Sequence, residues 1–431
     1  MTKVLILGGG LSGLSAAHFL SQRNFNIILL EQDKDLGGLA SSYSIDNQHI
    51  PKTYHHIMYG DKITLDLLQD LGLKSSLYWK KLKVGFYSNK NFYDFSSSLS
   101  ILKFKPISLW GRMKFGLLVL KARQKANWSH LNGRNIEDYC LSTSGEDAYK
   151  LINYIVQAKF AESPRNISAA WLMSRFGHES KSVSDKFGYL NGGIKLIIDS
   201  LVNRCKSRKS IIKTKAKATH ITIKNKQVKN VLYEEDGKLR EDKPDVVIST
   251  LPIPLLLDIC EGLPRKYNEA LKNIRYKSSL CLTLALQHRV SPFYWLNIMD
   301  LKKHPFVGVF EHKHLNTELN YPSLIYAVKY LDIKNNFWLK TDEEIVEEFL
   351  RHLSEIFEFN LKEKMLWWRL HRAEFSTPVF TPHYGQFMPK AKSPVKNLYI
   401  GGISRTYPKD RYIGTAIQTG IEAAEAVLSN Y

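Results

Sequence analysis

The first apolar run of the chain, Val4–Leu7 in "KVLILGGGLSGLSAAHFL", is short, continuous and halted by three glycines. A run of that kind fits a strand buried on both faces of a parallel sheet. Leu14, Ala17, His18 and Leu20 then recur at helical spacing, so the segment predicts strand, glycine turn and helix. "NIILLE" (26–31) repeats the strand pattern, and "FGYLNGGIKLIIDSLVNRC" (187–205) predicts a second glycine turn opening a helix with Ile194, Ile197, Ile198 and Leu201 on one face. Residues 211–249 alternate apolar and polar, with turn residues at Asn225 and Asp236-Gly237. They predict a β-meander that ends in the buried strand "DVVIST" and a turn interrupted by Pro252 and Pro254. A last strand, Leu398–Ile400, and a small-residue helix from about Gly414 close the chain. Between these pieces, "LINYIVQAKFAESPRNISAAWLMSRF" is helical on either side of Pro164. "SLCLTLALQHRV", "PSLIYAVKYL" and "WWRLHRAEFSTPVFTP" read as strands of a mixed sheet.

Composition narrows the class. The 431 residues are 44% hydrophobic and 12% aromatic, which excludes a disordered chain. No apolar run is long enough to span a bilayer, and Val4–Leu7 is too short for a signal segment. Cys140, Cys205, Cys260 and Cys281 are scattered without CxxC spacing, so the expectation is a cytoplasmic protein in a reducing compartment, with no zinc ribbon. The net charge of +20 favours anionic partners, unless it reflects only a general basic bias. No acid stands between Asp94 and Glu137, where Lys103, Lys105, Arg112, Lys114, Lys121, Arg123, Lys125 and Arg134 fall; a second acid-free run lies between Asp199 and Glu234. The two runs fall in different predicted domains and neither forms a nucleic-acid module, so nucleic acid is not expected as a partner.

The first glycines carry chemistry. Gly8, Gly10 and Gly13 form G-x-G-x-x-G between strand and helix: the first for the turn, the second for close approach of a pyrophosphate, the third for helix packing. Leu11 and Ser12 then lie at the helix N-terminus, where backbone N–H groups face the phosphates. Glu31, 23 residues after Gly8, ends the second strand at the spacing of a carboxylate that grips ribose hydroxyls. This predicts a Rossmann-type dinucleotide site.

"EQDKDLGGLASS" follows, with five residues between Glu31 and Gly37-Gly38. The arrangement resembles the FAD-dependent amine oxidase, protoporphyrinogen oxidase and phytoene desaturase superfamily of flavoproteins. There the glycine pair lets the chain cross the FAD pyrophosphate, and many members carry Arg where this chain has Leu39, the variant "GGLAS" with Ala40 next. "NLYIGGISRTYPKDRYIGTAIQTG" resembles the closing motif of the same superfamily, with Gly401-Gly402 where Gly and an acid are usual. Asp410 and Arg411 are then candidates for the missing polar contacts, and the helix N-terminus at Ile413 faces the flavin pyrimidine edge. The resemblance also brings Ala218 beside the adenine and Thr250 to the cofactor. It implies an α/β fold: a Rossmann-like FAD-binding domain (parallel sheet plus β-meander) from residues 1–76, 185–275 and 386–431, interleaved with an α+β substrate domain from 77–184 and 276–385. No cysteine follows Cys281, so a C-terminal cysteinyl-flavin bond is excluded and FAD is expected to bind noncovalently.

The resemblance places "TYHHIMYGD" (53–61) beside the flavin. His55 and His56 are the catalytic candidates, since imidazole titrates near neutral pH. On an extended chain adjacent rings point to opposite faces, so one should face the substrate and the other should be structural. Tyr384, Arg372 and Lys329 are weaker pocket candidates, Lys329 by likeness to the lysine near flavin N5 in amine oxidases. "HKH" (312–314) could bring two imidazoles to one face, but no acid or Cys cluster accompanies it and no metal is expected. The implied activity is hydride removal from a bulky, anionic organic substrate, with oxygen or a quinone as acceptor. The alternatives are a flavin enzyme like UDP-galactopyranose mutase on a nucleotide or polyprenyl-linked sugar, and non-catalytic binding of an isoprenoid or partner. Residues 104–125 add one further element: Leu109, Met113, Leu117 and Leu120 form an apolar stripe edged by basic residues. The favoured reading is that the stripe covers the substrate domain's own core. The other is peripheral contact with the inner face of an anionic membrane.

Overall fold

In the computed structural model, which describes residues 1–124, 127–184 and 186–430, strands from three distant parts of the chain meet in one parallel sheet. These are β1 (Thr2–Leu7), β2 (Phe25–Leu30), β3 (Ile211–Lys213), β4 (Val246–Ser249) and β5 (Leu398–Ile400), ordered 3-2-1-4-5 across the sheet. The central residues of β1, β2, β4 and β5 are buried, as continuous apolar strands require when helices cover both faces, while the edge strand β3 is half-exposed. The first helix, Leu11–Ser21, packs on the closing helix, Ile413–Leu428, so the two ends of the chain are joined. Gly420 makes that contact: a Cβ there would stand 2.0 Å from the Ser12 carbonyl oxygen. The sequence predicts a meander over 211–249. Its first strand instead joins the parallel sheet beside β2, and the antiparallel meander is Ala216–Lys224, Gln227–Glu235 and Lys238–Asp242. Pro252 and Pro254 do not interrupt a turn. They sit at the start of a short helix, Ile253–Ile259, where a missing N–H costs nothing.

A mixed seven-stranded sheet faces this unit. Its order is Met365–Pro378, Tyr276–Leu286, Ser323–Leu331, Gly308–Glu311, Trp295–Ile298, Val84–Ser88 and Asn91–Asp94. Only Trp295–Ile298 and Val84–Ser88 run parallel. Two long helices, Ile136–Phe160 and Ala169–Ser184, lie either side of Pro164 as the periodicity predicts. Across them packs the helix Leu109–Arg123, and here the favoured expectation fails. Its buried face is Gly111, Phe115, Leu118 and Ala122, while Leu109, Met113, Leu117 and Leu120 are exposed. Small Gly111 seats the helix against Asp147 and Ala148, and Phe115 meets Phe176 edge-on at 5.6 Å. The core takes one stripe of the helix and leaves the other to solvent; Lys125 lies outside the described residues. Among the described residues no helix is long and apolar enough to cross a membrane.

Candidate active site

Between the parallel sheet and the mixed sheet lies a cavity of about 850 Å³, large for a small-molecule site. Its floor is the first turn of the chain. Gly8 has φ +104°, and a Cβ there would meet Thr250 Oγ1 at 2.6 Å, so this turn needs glycine. Gly13 does not reach the cavity; its missing Cβ would lie 1.9 Å from the Gly8 carbonyl oxygen, which lets the helix close on the strand. Gly10, by contrast, opens into the cavity with nothing nearer than 3.9 Å to its Cβ position. The Gly37 N–H donates to the Gly9 carbonyl at 2.8 Å, drawing the glycine pair over that turn. Leu11 and Ser12 border the cavity from the helix start, and Gly38, Leu39 and Ala40 from the opposite side.

Glu31 closes one end. Its carboxylate accepts the Gly9 N–H at 2.7 Å and the Asp33 N–H at 2.9 Å. Burial raises its pKa, and those N–H groups counteract the rise. Ala218 lies on the same cavity wall, from the meander. Thr250 also lines the cavity, but its hydroxyl donates to the Leu7 carbonyl at 2.9 Å. Gly401 is buried behind the wall and Gly402 reaches it. The absence of an acid at Gly402 has a steric cause. Its φ is +85°, and a Cβ would stand 2.8 Å from the Thr250 carbonyl oxygen; its N–H donates to Ser12 Oγ at 3.0 Å. These features accommodate an ADP-containing dinucleotide: glycines that leave the turn open, N–H groups at a helix start, and a carboxylate at the end of the second strand.

The histidine loop differs from expectation. Residues 54–56 are not extended strand, so alternation does not apply, and His55 and His56 both border the cavity. His55 Nε2 donates to the Leu39 carbonyl at 2.8 Å, which leaves Nδ1 as the acceptor. His56 Nδ1 pairs with the Tyr294 hydroxyl at 2.8 Å, and its ring packs edge-on against Phe187. Burial lowers the pKa of His55 to about 4, with Arg411 adding to the fall, and that of His56 to about 3. Both are therefore neutral at physiological pH. Asp61, at the end of the same motif, caps the helix Lys62–Asp70 and also accepts the Gly414 N–H at 3.1 Å. The start of the closing helix, with Ile413 on the cavity, thus already carries one carboxylate.

Of the charged centre of the cavity, Asp410 and Arg411 are legible in the closing motif, and their partners Lys159 and Arg175 are not. Asp410 is 2% exposed, and its Oδ2 meets Arg175 Nη1 at 2.8 Å and Lys159 Nζ at 3.3 Å. Arg411 follows, donating through Nη2 to the Tyr330 hydroxyl at 2.9 Å, and its buried Nε has no partner. Three cations thus surround one carboxylate. Burial raises the Asp410 carboxyl, but Lys159, Arg175 and Arg411 outweigh it and hold the pKa down. Burial lowers Lys159 further than Asp410 can restore. Burial would also raise the Tyr330 phenol, yet Arg411 and Lys159 leave it lowered. A sign was present in the sequence: Lys159 and Arg175 interrupt the apolar stripes Leu151-Ile152-Val156 and Trp171-Leu172-Phe176 at helical spacing.

The weaker candidates separate. Arg372 borders the cavity but is held by Asp342 and by the carbonyls of Trp338 and Lys340. Tyr384 is fully buried off the cavity, its hydroxyl donating to the Ser404 carbonyl at 2.8 Å. Lys329 lies off the cavity too, with Nζ 4.9 Å from the centre of the Phe337 ring. In "HKH", His312 is buried among Tyr189 and Tyr326, and His314 is taken by the Ser291 carbonyl. Among the described residues a different trio, His304, His352 and Glu355, brings potential ligand atoms within 4.8 Å of one another, but Lys303 pairs with Glu355 and Arg351 with His352.

Comparison with known proteins agrees with this geometry. The family model for flavin containing amine oxidoreductases matches residues 11–428. A 15-cis-phytoene desaturase of Synechococcus elongatus is 22% identical over 477 residues, covering 99% of this chain and 96% of the relative. A solved structure from Exiguobacterium, of a protein proposed to be a protoporphyrinogen oxidase, superposes with a TM-score of 0.78 at 14% identity, over 100% of this chain and 99% of that one. Reduced UDP-galactopyranose mutase does so at 0.77 and 16% identity, over 100% and 96%.

Proposed function

The chain belongs to the flavin-containing amine oxidoreductase family, and on that premise we propose that it binds FAD noncovalently and oxidises a bulky, anionic organic substrate in the manner of a protoporphyrinogen oxidase. The observation that carries the anionic reading is the clustering of Lys159, Arg175 and Arg411 around Asp410 on the cavity wall. Cations held together at the edge of a cavity favour an anion beside them, so a substrate carrying phosphate or carboxylate suits this wall. In this reading Gly8, Gly10 and Gly38 admit the FAD pyrophosphate, while Glu31 takes the ribose hydroxyls. Leu11, Ser12, Leu39, Ala40 and Ala218 wall the adenine-side half; Thr250, Gly402 and Ile413 wall the flavin half. Bound there, FAD would supply hydride acceptance. Cys281 borders the cavity as a neutral thiol, since burial raises its pKa to about 12, which supports noncovalent binding.

The chain's own task is to hold substrate in a dry pocket. His55 presents an unprotonated Nδ1 and serves as the hydrogen-bond acceptor and proton acceptor of the site; His56, engaged by Tyr294, orients the loop. Lys159, Arg175 and Arg411 hold the anionic group. Oxygen or a quinone would complete the cycle. A mutase-like use of reduced flavin on a diphosphate sugar is the second reading, because the same cation cluster suits a diphosphate.

The test is anaerobic titration of the purified protein with phosphorylated and carboxylated candidates. Bleaching of the visible flavin band by an anionic compound, and not by its uncharged analogue, is expected. Turnover only after dithionite reduction would select the mutase reading. Protein that purifies colourless and cannot be loaded with FAD would sink both.

A further inference from the structure

We propose that the helix Leu109–Arg123, with the segment just before it, docks the protein on the surface of an anionic bilayer. At 3.6 residues per turn the helix divides into three zones. Gly111, Phe115, Leu118 and Ala122 cluster within about 60° of one another and face the core. Leu109, Trp110, Met113, Leu117 and Leu120 span about 100° on the other side, and all are exposed, Trp110 and Leu117 by 63% and 64%. The basic residues fill the two borders: Arg112 and Arg123 on one, Lys114 and Lys121 on the other. Leu99 and Leu102, also exposed, and Lys103 and Lys105 extend the same composition upstream.

Charge complementarity selects the occupant. Exposed apolar side chains are ordinary when scattered, but seven of the sixteen large ones on the described surface fall between residues 99 and 120. No acid stands between Asp94 and Glu137, so every charge that the segment itself brings to the rim is cationic. An apolar stripe bordered on both edges by lysine and arginine is how a helix lies in a headgroup layer: the stripe enters the acyl boundary and the cations meet lipid phosphates. A protein partner would need an acidic ring around an apolar centre; an anionic bilayer offers that chemistry everywhere. The helix rests on Ile136–Phe160 and Ala169–Ser184, which carry Lys159 and Arg175 into the cavity. The docking helix and the anion-binding cluster therefore share the same two supporting helices.

The test is co-sedimentation of the FAD-loaded protein with vesicles of phosphatidylcholine plus phosphatidylglycerol, and with phosphatidylcholine alone. Binding is expected to the first and not the second, and to fall at high salt. The double variant Trp110→Gln/Leu117→Gln should lose at least about tenfold in affinity. Leu366→Gln, an exposed apolar site elsewhere, should bind like the parent. Flavin content and melting temperature should be unchanged in both, because these side chains leave the core untouched. Absence of binding to anionic vesicles overturns the proposal. So does full binding by the double variant, or a parent protein that is dimeric where the double variant is monomeric.

Discussion

Replacing Lys159 by methionine and Asp410 by asparagine should move stability in opposite directions. Asp410 Oδ2 is already satisfied by Arg175 at 2.8 Å, while Lys159 stands further off at 3.3 Å. Burial lowers Lys159 despite that neighbour, so its charge is a net cost to the fold. Methionine keeps the apolar stem volume and removes the charge. Exchanging a buried ion for an apolar residue of similar size is often neutral or stabilising by about 1–4 kcal/mol, whereas removing the one counter-ion costs about 3–5 kcal/mol. Lys159→Met is expected to hold or gain about 1 kcal/mol, and Asp410→Asn to lose at least about 3, since the buried cations then lose the carboxylate they share. Urea unfolding of the FAD-loaded variants near neutral pH, read as midpoint shifts at constant m, measures both. Steady-state kinetics should show Lys159→Met raising KM for an anionic substrate. If Lys159→Met loses more than about 2 kcal/mol, the lysine is a structural partner of Asp410 and the charge argument for the substrate falls.

Other outcomes follow from the same geometry. His55, His56, His312 and His371 are all held low by burial, so below about pH 6.5 the unfolded chain binds protons that the native chain does not. Their stabilisation is complete above that pH and is lost as pH falls toward 4; His312→Phe, which fills a site where neither ring nitrogen is paired, should flatten a urea-midpoint-versus-pH profile by about 1.4 kcal/mol per pH unit, and an unchanged slope would refute its contribution. Gly420→Ala drives a Cβ to 2.0 Å from the Ser12 carbonyl oxygen and should cost about 1–3 kcal/mol together with FAD retention; a parent-like melt and flavin content would contradict the close packing. Asp61→Ala removes a cap shared by two helix starts and should lower stability by about 1–2 kcal/mol in the same assay, with Asp61→Asn recovering most of it.

The sequence alone determined the nucleotide-binding start, four of the five strands of the parallel sheet and the glycine turns. Each rests on short-range physics: a buried strand must be apolar throughout, a turn at φ +104° must be glycine, and a helix position whose Cβ would fall within 2 Å of a carbonyl oxygen must lack one. It also singled out "TYHHIMYGD", but as an alternating strand with one working histidine. The loop is irregular, and both rings border the cavity. What only the tertiary structure decided concerns groups far apart in the chain. Lys159, Arg175, Tyr330 and Asp410-Arg411 become one charged cluster because helices and strands from separate segments converge on the cavity. Which stripe of Leu109–Arg123 is buried was equally undecidable from periodicity, because two apolar stripes share that helix. The neighbours at Asp147 and Phe176 chose the one bearing Gly111 and Phe115. Backbone sterics and periodicity act over a few residues and are written locally; burial and charge balance depend on what the rest of the chain brings to the same place.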